Sequence, residues 1–329
     1  MKTRKLGCLE VSVVGLGTNN FGTDFFGPKC SLEDATRIIS AALDAGINFL
    51  DTAEEYSVRS RNGSGQSEQF IGQAIQKLGC HRADMVIASK FLDEDVAAPE
   101  ERGSKRITRA LESSLKRLNV DYIDLYQQHR WDPGTPLEET LDTLDNLIRQ
   151  GKIREIGCCN FTGAHIDQAQ AVSAAHGLAA FVTSQSRFNV LEGPREEDAV
   201  EGCCRHAMKL LPYYPLASGL LTGKYRNEKS PPSGSRLAVA TPISEKMKRS
   251  WLTSDRLTQV AALETFAKKS GHTLLELAIS WLTSQPFVGS VITGATSPEQ
   301  IIANANSAGW ELSAEDLRQV SQITASRAF

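Results

Sequence analysis

Four side chains that can hold or transfer protons occur at the ends of short apolar segments or just after them. Asp51, Lys90 and His129 each end such a segment, at intervals of 39 residues, and Tyr56 lies in the stretch that follows Asp51. Singly, each has a structural interpretation: a helix cap or ion pair for Asp51, a solvated charge for Lys90, and a packed side chain for His129 or Tyr56. Their regular spacing favours a shared pocket, in which such groups carry out acid–base chemistry.

The apolar segments are predicted β-strands, because short buried runs between polar stretches are typical of a parallel sheet. Between them, apolar residues recur at helical spacing and predict helices with one face on the sheet. Four helices are expected to begin at the N-caps Ser31, Thr135, Ser297 and Ser313, each with a polar or acidic residue three positions later. The predicted strands are Val13–Leu16, Asn48–Leu50, Met85–Ala88, Tyr122–Tyr126, Ile153–Cys158, Phe181–Val182, Leu210–Leu211 and Val288–Ile292.

About eight strand–helix units follow one another without a compositional break, which predicts a (β/α)8 TIM barrel of the α/β class, a single domain over residues 1–329. A doubly wound open sheet is the alternative. It is disfavoured because the first turn, with Gly15 and Gly17, lacks the third glycine of the dinucleotide-binding fingerprint. In a barrel, the carboxyl ends of the strands share one face, where we expect Asp51, Lys90 and His129 to meet.

Two stretches interrupt the alternation of predicted strands and helices. Residues from about 225 to 254 are polar and rich in proline, glycine and serine, and they predict a long loop. A second irregular stretch runs from Ser57 to Gly65.

Composition and charge exclude several classes of function. A net charge of −3 gives no electrostatic basis for binding nucleic acid or an anionic membrane. No segment has the roughly 20 apolar residues that span a bilayer, and no signal peptide is evident, so we expect a cytoplasmic protein. The seven cysteines fit reduced thiols. Cys203 and Cys204 with His206 lack the spacing of a zinc site, and we expect no metal.

Motifs along essentially the whole chain resemble those of the aldo-keto reductases. They include Gly15-Leu16-Gly17-Thr18, Asn48-Phe49-Leu50-Asp51-Thr52-Ala53-x-x-Tyr56, Ser67-Glu68-x-x-x-Gly72, Asp121-Tyr122-Ile123-Asp124-Leu125-Tyr126, Gly151-Lys152-Ile153-Arg154-x-Ile156-Gly157, Tyr213-Tyr214-Pro215-Leu216-Ala217-x-Gly219, and Gly294-Ala295-Thr296-Ser297-Pro298-Glu299-Gln300. The resemblance implies a catalytic tetrad of Asp51, Tyr56, Lys90 and His129. Tyr56 would protonate the carbonyl oxygen, His129 would orient that oxygen, and Lys90, held by Asp51, would make Tyr56 a stronger acid by lowering its pKa.

The resemblance also implies a nicotinamide cofactor. We favour NADPH, but Thr296 and Ser297 stand where many NADPH-preferring relatives have Arg or Lys, so NADH is the alternative. Cys159-Asn160 replaces the Ser-Asn usual in the family and so offers a weaker hydrogen-bond donor. The Ser297-Pro298 helix start would present free N–H groups to a phosphate. The implied cofactor contacts are Gly17, Thr18, Asn19, Asp51, Cys159, Asn160, Gln185, Tyr213, Leu216, Ser218, Lys224, Gly294, Thr296, Gln300 and Asn304.

The resemblance therefore implies an oxidoreductase that reduces aldehydes or ketones to alcohols. Its expected partner is a small carbonyl substrate, at a rim that includes Asn19, Asn20, Phe25, Phe26, Phe91 and Trp131. Two alternatives remain. One is a cofactor-binding regulatory subunit similar to the channel β subunits of the family. The other is an aldolase-like barrel in which Lys90 forms a Schiff base.

Overall fold

The computed structural model describes residues 1–23, 30–57, 65–92, 101–192, 197–226, 231–238 and 241–325. Within these ranges, a hairpin of β1 (Thr3–Leu6) and β2 (Leu9–Ser12) precedes eight parallel strands that form one sheet. The eight strands are β3 (Val14–Gly17), β4 (Phe49–Asp51), β5 (Val86–Phe91), β6 (Ile123–Gln128), β7 (Ile153–Cys159), β8 (Thr183–Arg187), β9 (Lys209–Tyr213) and β10 (Val291–Gly294). Their order in the sheet is β10-β3-β4-β5-β6-β7-β8-β9. The predicted (β/α)8 barrel is thereby confirmed.

The sheet closes between β9 and the residues that precede β10. Leu210 N donates to Phe287 O at 2.8 Å, and Gly289 N donates to Leu210 O, also at 2.8 Å. The predicted strands fall on or beside the observed ones. The largest displacement is at Phe181–Val182, which comes just before β8 begins at Thr183.

Helices follow the strands around the barrel. They are α1 (Leu32–Asp44), α2 (Gln66–Leu78), α3 (Gly103–Leu118), α4 (Leu137–Arg149), α5 (Gly163–His176), α6 (Glu197–Arg205), α7 (Pro242–Trp251), α8 (Ser254–Lys269), α9 (Leu274–Thr283), α10 (Pro298–Asn306) and α11 (Ala314–Ala325). No helix in the described ranges is long and apolar enough to cross a membrane.

Three of the four predicted helix starts are confirmed. Ser31 forms a capping box with Asp34 at the start of α1, Ser297 accepts from Gln300 N at the start of α10, and Asp316 N donates to Ser313 Oγ at the start of α11. The fourth start is displaced by one residue. Helix α4 begins at Leu137 with extended Pro136 as its N-cap, because the Thr135 hydroxyl donates to Asp132 instead of capping the helix.

The segment predicted as a loop from about 225 to 254 is partly helical. It contains α7 and a short 3-10 turn over Arg236–Ala238. Tyr225, Leu237 and Trp251 are buried in a second apolar cluster with α8 and α9. The polar composition misled the prediction because few side chains of this segment reach that cluster. Residues 227–230 and 239–240 of the segment, and residues 58–64 of the predicted irregular stretch, lie outside the described part of the chain.

A hairpin that the sequence pattern did not reveal fills the amino-terminal end of the barrel. Strands β1 (Thr3–Leu6) and β2 (Leu9–Ser12) pair antiparallel. Leu6, Leu9 and Val11 pack in one buried cluster with barrel-interior residues such as Phe49 and Leu125. Glycine suits the turn, because Gly7 has φ +58°, a backbone conformation that other residues rarely adopt.

The hairpin is therefore predicted to carry stability without contributing to the site at the other end. Leu9→Ala should lower the free energy of unfolding by roughly 2–5 kcal/mol, as for other buried leucines. Denaturant unfolding measures this, with Cys8→Ala as the matched control, since Cys8 is the exposed neighbour in the turn. A loss below about 0.5 kcal/mol for Leu9→Ala, the range of surface substitutions, would mean that the hairpin is not part of the cooperative core.

Candidate active site

The strands carry an apolar layer and, two residues further along, a polar layer. Alternation along a strand sends residues i and i+2 to the same side of a sheet. Inside the barrel, the buried cluster includes Phe49, Ala88, Leu125 and Leu211. Two positions after Phe49, Ala88 and Leu125 come Asp51, Lys90 and Gln127, which are also buried. Of the side chains predicted to meet at the carboxyl ends of the strands, Asp51 and Lys90 thus form the inner floor of that end, together with Gln127.

Lys90 is the centre of this polar layer. Its side chain is fully buried and its ammonium makes three hydrogen bonds. Nζ donates to Asp51 Oδ2 at 2.7 Å, to Thr52 O at 2.8 Å and to the Tyr56 hydroxyl at 3.0 Å. An ammonium has three N–H groups, so all are engaged. The Tyr56 oxygen is therefore an acceptor towards Lys90, and its own proton must point elsewhere.

The Asp51 carboxylate is held on its other side by amides from the opposite wall. Gln185 Nε2 donates to Asp51 Oδ1 at 2.8 Å, and Gln127 Nε2 lies 3.4 Å from the same oxygen. Both oxygens of this buried carboxylate therefore accept hydrogen bonds from side chains.

The environment fixes the protonation states of the other groups. Burial, which outweighs the nearby Lys90 cation, raises the pKa of Tyr56. Burial alone would lower the pKa of Lys90, but Asp51 and Tyr56 raise it overall. Burial, with the positive charges of Lys90 and Arg130, lowers the pKa of His129 well below its usual value. Lys90 thus lowers the pKa of Tyr56 as expected, but burial raises it by more, so the pKa lies above its usual value.

His129 stands beside Tyr56 at the mouth of this layer. Their rings meet edge to face, with centroids 6.0 Å apart. The imidazole Nδ1 lies 3.4 Å from a Glu55 oxygen, which also lies 3.5 Å from Arg130. The Nδ1 contact lacks hydrogen-bond geometry. Asn160 and Tyr213 continue the wall: Tyr213 donates to Asn160 Oδ1 at 2.7 Å, and Asn160 Nδ2 donates to His129 O at 3.1 Å.

These residues open into a cleft of about 770 Å³. Most of the predicted site residues line it: Gly17, Asn19, Asp51, Tyr56, His129, Asn160, Gln185, Tyr213, Leu216, Ser218, Lys224, Gly294, Thr296, Gln300 and Asn304. Thr18, Lys90 and Cys159 lie behind the wall. Thr18 donates from Oγ1 to Asp51 O at 2.9 Å. The buried Cys159 thiol points to Gln127 Oε1 at 3.7 Å, so it does not face the cleft as the prediction required.

The beginning of α10 differs from the expected anion site. Pro298 has no N–H, and Gln300 N donates to Ser297 Oγ at 3.4 Å. Thr296 N donates to Gln300 Oε1 at 2.9 Å. The N–H groups of Thr296 and Gln300 are thus bound by side chains of the same turn and are not free as predicted.

The expected aromatic rim is likewise not formed by the described residues. Phe91 is fully buried and stacks on Tyr126 at 5.0 Å. Trp131 stacks on His165 at 4.1 Å, outside the cleft. Asn19 and Asn20 do line the cleft, and Phe25 and Phe26 lie outside the described residues.

Comparison with known proteins agrees with this geometry. Residues 13–325 match the model of the Aldo/keto reductase family. The chain is similar to a probable voltage-gated potassium channel subunit beta of Arabidopsis thaliana, 35% identical over 92% of this chain and 90% of that protein. It is also similar to the aldo-keto reductase YhdN of Bacillus subtilis, 35% identical over 96% and 90%, and to the protein tas of Escherichia coli, 33% identical over 96% and 94%.

The chain belongs to the aldo/keto reductase family. Members of this family are oxidoreductases that use a nicotinamide cofactor, and this aldo/keto reductase is therefore an oxidoreductase of that general class. Its barrel and the polar floor described above agree with the assignment.

The cleft of this aldo/keto reductase suits an anionic cofactor. Lys224 and Arg236 both line it. Burial lowers the pKa of both, and repulsion from Arg236 lowers the pKa of Lys224 further. Two repelling cations are stabilised when an anion lies between them. In the same wall, the buried Ser218 Oγ has no hydrogen-bond partner. These observations fit the phosphates of a nicotinamide dinucleotide.

Arg236 is the functional candidate that the sequence analysis missed. It lies in the segment predicted as a loop, where no periodicity marks a side chain as inward-facing. In the structure, the guanidinium lies 5.9 Å from the centre of the Tyr214 ring, and Tyr214 also lines the cleft. The sequence offers one indication of this role, which is the positive charge of Arg236 in the segment that follows Lys224.

The aldolase-like alternative conflicts with this geometry. A Schiff base requires a neutral amine that the substrate can reach. Lys90 is fully buried behind Asp51 and Tyr56, its three N–H groups are engaged, and its pKa is raised. It is therefore held as a cation away from the cleft.

The pKa directions predict a pH-independent chemical step near neutrality. Tyr56 and Lys90, whose pKa values are raised, stay protonated as pH rises, and His129, whose pKa is lowered, stays neutral as pH falls. The single-turnover rate of carbonyl reduction with bound NADPH should be flat between about pH 7 and pH 9. An inflection in this range would contradict the assigned states, provided that NADPH binding, measured in parallel, stays complete.

Proposed function

We propose that this aldo/keto reductase reduces aldehydes or ketones to alcohols with NADPH, and that Tyr56 is the proton donor. The observation that supports this most directly is the saturation of Lys90 by three acceptors. Because the Tyr56 oxygen accepts from Lys90, its proton is available to a group in the cleft. NADPH supplies a hydride when it is bound.

The remaining residues have roles that follow from their contacts. Tyr56 donates its proton to the carbonyl oxygen as negative charge develops there. Lys90 stabilises the resulting phenolate, and Asp51 keeps Lys90 charged and oriented. His129 is neutral, and it can donate a hydrogen bond from Nε2 and so orient the carbonyl oxygen. The buried floor excludes water from Lys90.

A cofactor-binding regulatory role is the second candidate, since one relative is named a probable potassium channel subunit beta. The complete set of Asp51, Tyr56, Lys90 and His129, in hydrogen-bonding or ring contact, supports catalysis in this chain. Turnover of propanal, glyceraldehyde and 4-nitrobenzaldehyde, followed by loss of NADPH absorbance, distinguishes the two. Binding of NADPH without turnover of any of these carbonyls would favour the regulatory role.

Tyr56→Phe and Lys90→Met test the proposed mechanism. Tyr56→Phe should lower kcat by roughly 10²–10⁴-fold, the usual contribution of a general acid, with little change in NADPH binding. Lys90→Met should also lower kcat steeply, because the phenol loses the cation that stabilises its conjugate base. Groups that act as a unit give non-additive losses, so the double variant should be hardly slower than the slower single variant.

Circular dichroism should accompany these rates, because Lys90→Met leaves the Asp51 carboxylate buried without its cation. Losses that multiply in a folded double variant would show that Lys90 acts independently of Tyr56, contrary to the proposed roles.

The proposed cofactor site gives a separate prediction. Arg236→Gln should weaken NADPH binding by about 1.5–3 kcal/mol, the range for a hydrogen bond to a charged group. Calorimetric titration in the presence of a chelator measures this, and affinity for NADPH should fall as salt rises. Titration with NADH in parallel tests the preference between the two cofactors.

Arg226→Gln is the matched control, because Arg226 is an exposed arginine that pairs with Glu264 and does not line the cleft. Equal affinity in Arg236→Gln and the unaltered chain would remove Arg236 from the cofactor site.

A further inference from the structure

Glu54 joins the turn that carries Tyr56 to the strand that carries Lys90. Parallel pairing of β4 and β5 continues past Asp51, where Thr52 N donates to Ala88 O at 2.9 Å and Glu54 N donates to Lys90 O at 3.1 Å. The next donor along β5 is Leu92 N. It donates to the Glu54 carboxylate at 2.8 Å. Glu54 thus bonds the backbone at the residues before and after Phe91: its N–H donates to Lys90 O, and its carboxylate accepts from Leu92 N.

The Glu54 carboxylate accepts this hydrogen bond in place of the backbone carbonyl that would accept it in a regular parallel sheet. It satisfies the N–H of Leu92, the residue just after β5, while the main chain of residues 54–57 turns away. In that turn, Tyr56 N donates to Ala53 O at 3.2 Å. The side chain of Glu54 therefore lets the chain leave the sheet two residues before Tyr56 and still keeps the turn attached to β5.

Arg106 of α3 holds Glu54 in place. Its guanidinium contacts Glu54 Oε1, the same oxygen that accepts from Leu92 N. Both side chains are nearly buried, with 7% of Arg106 and 12% of Glu54 exposed. Such a pair restricts the carboxylate to one orientation, because an unpaired buried charge is costly.

We infer that Glu54 is a positioning residue for carbonyl reduction, which sets the contact between Tyr56 and Lys90, and that Arg106 fixes Glu54 in that position. The inference rests on the proposed function of Tyr56 and Lys90. Its physical basis is that the hydroxyl of Tyr56 lies 3.0 Å from Lys90 Nζ, and a displacement of about 1 Å can cost on the order of 10²-fold in rate.

The chain contains a matched control at the other end of β5. The carboxylate of Asp124 is also buried, accepts from a backbone N–H of this strand, Ile87 N at 2.8 Å, and pairs with Arg82 at 2.5 Å. It lies among residues of the amino-terminal end of the barrel and does not line the cleft. Asp124 also pairs with Arg154, at 3.0 Å. Asp124→Leu therefore removes the same kinds of interaction, and one further ion pair, at a place that does not line the cleft.

The experiment compares Glu54→Leu, Glu54→Gln and Asp124→Leu, with NADPH and whichever of propanal, glyceraldehyde and 4-nitrobenzaldehyde the unaltered chain reduces fastest. Glu54→Leu should lower kcat by roughly 10–100-fold, with KM and NADPH affinity little changed. This loss should vanish when Lys90→Met is already present. Glu54→Gln should keep most of kcat, since an amide oxygen still accepts from Leu92 N. Asp124→Leu should lower the melting temperature but leave kcat unchanged.

Each contrary result has a distinct meaning. An unchanged kcat in folded Glu54→Leu overturns the positioning role alone. Equal losses of kcat in the Gln and Leu variants also overturn it, because the hydrogen bond to Leu92 N would then not be what matters. If Glu54→Leu does not fold, Arg106→Met replaces it, and an unchanged kcat there overturns the role. Absence of turnover in the unaltered chain overturns the proposed function and this inference with it.

Discussion

The ammonium of Lys90 is buried inside the barrel, and the arrangement of the site depends on keeping it charged there. Removing a cation from water costs several kcal/mol unless it is paired and fully hydrogen-bonded. The Asp51 carboxylate, the Thr52 carbonyl and the Tyr56 hydroxyl supply the three acceptors that it needs. The last of these contacts also orients the Tyr56 hydroxyl, so the requirement that stabilises the buried cation also prepares the proposed proton donor.

The position of the Lys90 ammonium also depends on residues of neighbouring strands and helices. Asp51 pairs with Lys90, and Gln185 from β8 donates a hydrogen bond that holds its carboxylate in place. The carbonyl of Asp51 accepts from Thr18, whose hydroxyl also meets Ser67 at the start of α2. Ser67 belongs to the Ser67-Glu68-x-x-x-Gly72 motif. Gly72 lets α2 approach α3 closely, since a Cβ there would lie 2.5 Å from Leu118 O. The motif thus positions the strand ends and does not reach the cleft.

The two ends of the barrel interior have opposite character. The hairpin of β1 and β2 closes the amino-terminal end with aliphatic side chains, while the carboxyl ends of the strands supply carboxylate, amide and ammonium groups. Because the apolar layer lies directly beneath the polar one, water cannot reach Lys90 from below. Lys224 and Arg236 line the same cleft as Tyr56, and so do Asn160 and Tyr213, which are hydrogen-bonded to each other.

The sequence by itself determined the barrel and most of the polar floor. Alternation of apolar runs with amphipathic helices predicted eight units, and the interval of 39 residues placed Asp51, Lys90 and His129 at the ends of successive parts of the barrel. These features are local: a strand's period of two and a helix's period of 3.6 can be seen in the residues themselves. The tetrad's roles came from the resemblance to a family and not from spacing.

The tertiary structure decided which polar groups face one another. Cys159 and Thr18 have the expected position along the chain but lie behind the cleft wall, because their hydrogen bonds to Gln127 and Asp51 turn them inward. Arg236 faces the cleft from a segment without periodicity, and the first turn of α10 is capped by its own side chains. The balance of burial against the charge of Lys90, which sets the pKa of Tyr56, depends on groups that are distant in sequence. Such distances and desolvation arise only when the strands close into a barrel.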